Sequence, residues 1–192
     1  MILLYRCLCL RDCFLTRTAR LRDTRLAKLD APDSPFSCIL LATAGLTRLG
    51  LGHRITQQLD PTVFPWAVGQ GALGIEVKAD REDIAQLVGA VDHKPSRWRC
   101  LAERAMLRSL QGGCSSPIGA YSSFEPLMED ADREGGTIRL QATVLDVDGT
   151  TGVSAGDSGT VCSDKEAEQL GISVARMLLE KGAQNLLSKQ LQ

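Results

Sequence analysis

Cys114 is the side chain of this 192-residue sequence whose setting most invites chemistry. It lies in the run Gly112-Gly113-Cys114-Ser115-Ser116-Pro117-Ile118-Gly119. A cysteine kept for packing sits on an apolar face, as the neighbours of Cys38 and Cys100 suggest for those two. One placed among glycines and a proline has little to pack against and room for a bound group. Arg104 and Arg108 stand upstream on a predicted helix. Cations near a thiol favour the thiolate, the form that acts as nucleophile. From these residues alone a functional thiol and an ordinary loop cysteine both stand.

The other motifs carry less. Gly69-Gln70-Gly71-Ala72-Leu73-Gly74 has the spacing G-x-G-x-x-G. In a dinucleotide site those glycines bring a helix N-terminus up to a pyrophosphate. Here the third glycine falls inside an apolar, strand-like run and no helix opens at the motif. A tight backbone passage close to a ligand or another strand is the expected reading. Asp146-Val147-Asp148-Gly149 lacks the ligand spacing and closing Glu of a calcium loop and reads as a plain turn. His53 and His93, the only histidines, belong to no catalytic or metal motif and are expected to be surface or capping residues. Cys7, Cys9 and Cys13 have no second cluster at ligand spacing, so no metal site is expected.

The elements that must position these residues follow from periodicity. Asp23–Asp30 reads as the end of a short helix, and Ser37–Ala42 as a buried strand of an α/β sheet. Thr43-Ala44-Gly45 reads as a turn. Leu46–Leu51 and Ile55–Leu59 read as short helical pieces, and Leu73–Val77 as another strand. Arg81–Val91 is predicted helical, capped by Asp80, with Ile84, Leu87, Val88 and Val91 on one face. A second helix is expected from about Pro95 to Leu110, with Trp98, Leu101, Ala102, Ala105, Met106 and Leu110 inward and Gly112-Gly113 as its stop. Tyr121–Leu127, Thr137–Leu145 and Ser158–Cys162 read as strands, the second half-buried by its alternation, with Asp148-Gly149 as a hairpin turn. Ser163 and Glu166 form a capping box opening a helix to about Leu187, with Leu170, Val174, Leu178 and Leu179 inward.

Composition sets the frame. Hydrophobic residues make up 44% and charged residues 23%, an ordinary globular balance. No apolar run approaches the ~20 residues needed to span a bilayer, so no membrane partner is expected. The net charge of -1 divides unevenly: residues 1–59 carry nine Lys/Arg against four Asp, +5, and residues 60–192 carry thirteen against nineteen, -6. That whole-chain balance gives no nucleic-acid footprint. Seven cysteines without framework spacing point to a reducing, cytoplasmic setting. Residues 1–20, MILLYRCLCLRDCFLTRTAR, break their apolar run at Arg6 and again at Arg11 and Asp12. They have no signal-peptide plan and read as a divergent segment without a designed role.

Several segments together resemble one family. DTRLAKLD, ILLATAGLTRLGL, AVGQGALGIEV, AERAMLRSLQGGCSSPIGAY and EAEQLGISVA occur in the order found in porphobilinogen deaminase, also called hydroxymethylbilane synthase, over roughly residues 20–190. Gln111 stands where the family often has Glu. The resemblance implies a transferase of porphyrin and heme biosynthesis that condenses four porphobilinogen molecules into a linear tetrapyrrole with release of ammonia. It implies a dipyrromethane cofactor tethered through the cysteine that Cys114 matches. It implies that Arg25 and Arg48 contact the pyrrole carboxylates, with Gln70 beside the same cleft. Bidentate pairing lets an arginine hold orientation as well as charge.

The implied fold is α/β plus α+β: a partial periplasmic-binding-protein-like lobe, then a small domain with an antiparallel sheet and helices. The corresponding domains are 1–19, unmatched; 20–95, partial second lobe and the return segment of the first; and 96–192, the cofactor-attachment domain. The family's catalytic aspartate matches no residue here, so no catalytic residue is assigned, and the chain is expected to be a carboxyl-terminal part inactive alone. A catalytically inactive remnant or binding module is the alternative. An unrelated cytosolic thiol enzyme is a third reading, for which the sequence offers no base partner. The expected partners are porphobilinogen and no macromolecule, with a monomer as the expected state of a complete enzyme. The strand around Ile39–Leu41 is expected to lack sheet neighbours and to invite aggregation.

Overall fold

The computed structural model describes residues 2–5, 22–113, 116–127, 135–146 and 148–188, with backbone alone for 2–5 and 22–24. Cys7, Cys9, Cys13, Cys114 and Val147 lie outside the described residues. The chain divides into two compact units, Met1–Phe64 and Pro65–Gln192.

In the first unit, β1 (Ile2–Tyr5) pairs antiparallel with β2 (Cys38–Leu41) on one side and with the short β3 (Gln57–Gln58) on the other. The sheet order is β2-β1-β3. Two expectations are corrected here. The β2 strand does have a neighbour, and residues 2–5 of the divergent segment supply it. The apolar run CILL thus joins an antiparallel ladder, in which hydrogen bonding depends on backbone geometry more than on a designed side-chain match. Helices α1 (Arg22–Asp30) and α2 (Thr43–Arg48) pack Leu26, Leu29 and Leu46 around Leu41 of β2.

Two short stretches of this unit also differ from expectation. Thr43-Ala44-Gly45 is the first turn of α2, since the N–H groups of Gly45 and Leu46 both donate to the Ala42 carbonyl. Ile55–Leu59 is not helical. A single 3₁₀ turn spans Gly52–Arg54, and Gln57–Gln58 is drawn into the sheet by β1. Tertiary pairing overrides weak local preference in such short stretches.

The second unit is built on α4 (Lys94–Ser109), β4 (Ile118–Pro126), β5 (Gly136–Leu145), β6 (Gly152–Val161), α5 (Asp164–Glu180) and α6 (Ala183–Ser188). The sheet is antiparallel in the order β4-β5-β6. The alternation expected in β5 is present: Ile138, Leu140, Ala142 and Val144 are buried, while Arg139 and Gln141 on the other face are exposed. Against the buried face lie Trp98, Ala102 and Met106 of α4 and Leu170, Val174 and Leu178 of α5. Gly171 lets the two helices close up, because a Cβ there would fall on the Ala102 carbonyl oxygen. The helix starts are pinned together by Asp164, which accepts from Arg97 and, at 3.0 Å, from the Trp98 indole N–H.

The capping box forms as expected. Ser163 Oγ accepts from the Glu166 N–H at 3.3 Å, and the Glu166 carboxylate accepts from the Cys162 N–H at 2.8 Å. The final helix is broken, however, at Gly182, whose φ of 92° separates α5 from α6. The stop after α4 also differs. Gln111, not a glycine, takes the left-handed conformation, with φ 55°. At Gly112 a Cβ would meet the movable ends of the Ile118 and Leu107 side chains, at 2.5 and 2.9 Å.

Within the second unit, residues 73–91 depart most from expectation. Leu73–Val77 forms no strand; its residues find no ladder partner among the described residues, and Leu73 is 91% exposed. Helix α3 (Glu82–Gly89) starts behind Arg81 rather than Asp80, with no side-chain cap, while Asp80 accepts from Lys78 instead. Its apolar residues Ile84 and Leu87, with Val91 just beyond, are exposed. Among the described residues no helix is long and apolar enough to cross a membrane.

Candidate functional site

In the first unit the candidate arginines ride on two helices that share one small core. Arg25 precedes buried Leu26 and lies one helical turn before buried Leu29, so it shares the inner edge of α1 and is half-buried. Arg48 closes α2, two residues beyond buried Leu46, and is exposed. A cation there suits the helix's C-terminal carbonyls. Arg54 is paired with Asp30 at 2.7 Å. Arg48 has no ion-pair partner among the described residues, so its fork is open to a carboxylate ligand.

In the second unit the glycine-rich passage is held at two points. Trp66 exchanges both backbone hydrogen bonds with Ala120 of β4, at 2.9 and 2.7 Å, and its ring meets Tyr121 edge-on at 6.0 Å. Three residues on, the Gly69 N–H donates to Glu103 Oε2 at 2.8 Å. Gly69 and Gly71 have φ of 71° and 86°, flanking an exposed Gln70. The glycines supply left-handed backbone. No described protein strand approaches them closely, since a Cβ at Gly69, Gly71 or Gly74 would meet no protein atom within 4 Å.

Cys114 and Ser115 lie outside the described residues. The residues on either side are tied to each other: the Gly113 N–H donates to Ser116 Oγ at 2.9 Å, and the Ser116 N–H donates to the Gly113 carbonyl at 3.1 Å. Arg108, named from the sequence as a candidate to favour a thiolate, donates to Glu168 at 2.9 Å in an exposed ion pair. Among the other cysteines, Cys38 is buried and Cys162 exposed. Burial, and then the charge of Glu103, push the Cys100 thiol up from its ordinary value. His93 is the N-cap residue of α4 but its side chain caps no backbone N–H; it is exposed, the surface role expected, with its ring nitrogen 2.9 Å from Ser96 Oγ. Asp146 fastens its turn by accepting from the Thr150 N–H at 2.8 Å and the Thr151 N–H at 3.2 Å. Among the described residues no group of His, Cys, Asp and Glu is placed to hold a metal ion.

Glu103 was missed by sequence reasoning. It is only 8% exposed, and besides Gly69 it receives the Ser122 hydroxyl at 2.5 Å. Arg99 Nε in turn donates to Ser122 Oγ at 3.0 Å. A charged residue in an amphipathic helix is read as solvent-facing. The available signal was its place between the buried Ala102 and Ala105.

Comparison with known proteins adds the family. Residues 98–180 match the family model described as porphobilinogen deaminase, C-terminal domain. Residues 16–86 match the one described as porphobilinogen deaminase, dipyromethane cofactor binding domain. A porphobilinogen deaminase of Schizosaccharomyces pombe is 45% identical over 166 residues, covering 86% of this chain and 48% of the relative. One of Eremothecium gossypii is 47% identical over 166 residues, covering 86% and 49%. One of the bacterium Nostoc sp. is 43% identical over 166 residues, covering 86% and 47%. The chain spans about half the length of the curated relatives it matches. With two successive models of one family matched along it, the chain belongs to the porphobilinogen deaminase family.

Proposed function

We propose that this chain carries the cofactor-tethering and part of the carboxylate-binding machinery of a hydroxymethylbilane synthase. The reaction joins four porphobilinogen molecules head to tail. At each joining the aminomethyl C–N bond breaks, ammonia leaves, one C–C bond forms and a ring proton is released. The observation that carries this reading is the pair of family models matched in succession on one chain, 16–86 and 98–180. They bracket the domain division at 95/96 that the reading adopts, with 20–95 as part of a periplasmic-binding-protein-like lobe. The compact units divide earlier, after Phe64, because the Trp66–Ala120 and Gly69–Glu103 bonds tie the passage to the second unit.

A dipyrromethane joined to Cys114 Sγ as a thioether would supply the pyrrole end on which the product grows. The donor set suits its acetate and propionate groups. In this reading Arg48 pairs with a carboxylate through its open fork, Arg25 lends a second guanidinium, and Gln70 offers an exposed amide. Arg25, Arg48 and Gln70 fall within the stretch matched as cofactor binding domain, and Cys114 within the C-terminal match. Tether and carboxylate contacts are thereby assigned to different matches. A cytoplasmic location belongs to the same proposal, supported by the free thiols of Cys100 and Cys162.

Intact-mass analysis of the purified chain after incubation with porphobilinogen tests the proposal. The expected result is an adduct of dipyrromethane mass that is lost in Cys114→Ser and formed about tenfold or more slowly in Arg48→Ala, the equivalent of ~1.4 kcal/mol. An unmodified chain, or an adduct retained in Cys114→Ser, overturns it.

A further inference from the structure

We infer that Glu103 is a positioning residue, which sets Gln70 through the Gly69 amide and so makes helix α4 the support of the glycine passage. The inference rests on the function proposed above for Gln70 and Cys114, and it adds a residue which that reading does not assign.

The geometry is a directed relay. Arg99 Nε donates to Ser122 Oγ at 3.0 Å, the Ser122 hydroxyl donates to Glu103 Oε1 at 2.5 Å, and Glu103 Oε2 receives the Gly69 N–H at 2.8 Å. Because the Ser122 oxygen already accepts from Arg99, its own proton has one productive direction, toward the carboxylate. The carboxylate is buried, so each of its bonds is stronger than in water and costly to leave unmade. Arg99 compensates the charge through the hydroxyl rather than by direct pairing.

What this relay holds is otherwise loose. Gly69 and Gly71 both adopt left-handed φ, and glycine loses more backbone freedom on ordering than any other residue. Past Gly71 the chain runs exposed, and Leu73–Val77 has no strand partner among the described residues. Trp66 is fixed by its exchange with Ala120, so the Gly69–Glu103 bond is the last anchor to the small domain before Gln70. Glu103 belongs to the helix whose C-terminal end leads through Gly112 to Cys114. The same helix therefore supplies the anchor of the glycine passage and leads, through the described Gly112 and Gly113, toward the cysteine.

Amide hydrogen exchange on the full chain tests the positioning. In Glu103→Ala the Gly69 amide should exchange about tenfold or more faster, consistent with loss of a charge-assisted bond. The Ile138 and Leu140 amides of β5 should keep their rates. Glu103→Gln should give an intermediate increase: its carbonyl still accepts from Gly69, but its N–H₂ opposes the Ser122 proton. An unchanged Gly69, or a uniform rise across the domain in both variants, overturns the inference. Should Glu103→Ala fail to fold, the Gln variant decides: a selective rise at Gly69 supports the relay and none refutes it.

A second readout concerns function. Adduct formation on Cys114 with porphobilinogen should slow by similar factors in Glu103→Ala and Gln70→Ala, and the double variant should slow no further. Multiplying effects would show that Glu103 acts elsewhere and overturn the inference. If the unsubstituted chain takes no adduct, the proposed function falls, while the exchange experiment still decides the positioning.

Discussion

Helices α3 and α5 both carry an apolar stripe, and the fold uses them differently. Leu170, Val174 and Leu178 of α5 are buried against β5 and α4, whereas Leu87 of α3 is 76% exposed and Ile84 and Val91 are exposed beside it. The pattern makes a face in both cases. Only an opposing element turns the face into stability, because apolar area stabilises in proportion to what is removed from water. Within the second unit, α4 and the hairpin β5–β6 supply that opposition for α5. Nothing among the described residues supplies it for α3.

Substitutions that probe each region sharpen the contrast. The largest expected effect is in the sheet core: Leu140→Ala should cost about 2–5 kcal/mol in denaturant unfolding, and Leu87→Ala less than about 0.5. Equal losses would break the comparison. Next comes the helix crossing. Gly171→Ala forces a Cβ onto the Ala102 carbonyl and should cost about 1–3 kcal/mol, whereas Gly74→Ala, in open space, should stay within about 0.5. Ser163→Ala removes the α5 cap and should cost about 1 kcal/mol; α3 has no side-chain cap to lose.

The smallest expected effect concerns thiols. Cys100 is held in its neutral form chiefly by burial and next by Glu103, so its folded value lies above the unfolded one. The stability it contributes is present below the ordinary thiol range and is lost as pH rises through the raised value. Iodoacetamide at about pH 8 should therefore modify exposed Cys162 before Cys100. Faster reaction at Cys100 would contradict that order.

Much of the small domain was legible in advance. The alternation of Thr137–Leu145, the capping pair Ser163 and Glu166, and the stripe from Trp98 to Leu110 each depend on neighbours within a few residues. Leu73–Val77 departs from expectation because an apolar run states a preference for burial and leaves the partner open, and Ile55–Leu59 because its weak local preference yields to pairing with β1. Residues 2–5 were dismissed for the converse reason: strand pairing satisfies backbone groups whatever the ancestry of the side chains.

The candidate site divides along the same line. Its candidates came from the sequence in two ways: Cys114 from its setting among glycines, and Arg25, Arg48 and Gln70 from the family resemblance. Their supports did not. Glu103 is a buried anchor because Gly69, 34 positions away, and Ser122, 19 positions away, both donate to it. Whether a carboxylate in a helix meets solvent or donors is settled by long-range approach. The sequence by itself determined the family, the periodic elements and the chemical types at the site. Tertiary structure alone decided which apolar faces are covered, that Arg108 is paired with Glu168 while Arg48 has no ion-pair partner among the described residues, and which charge is buried. Those outcomes depend on groups brought together across the fold, where desolvation and pairing act jointly.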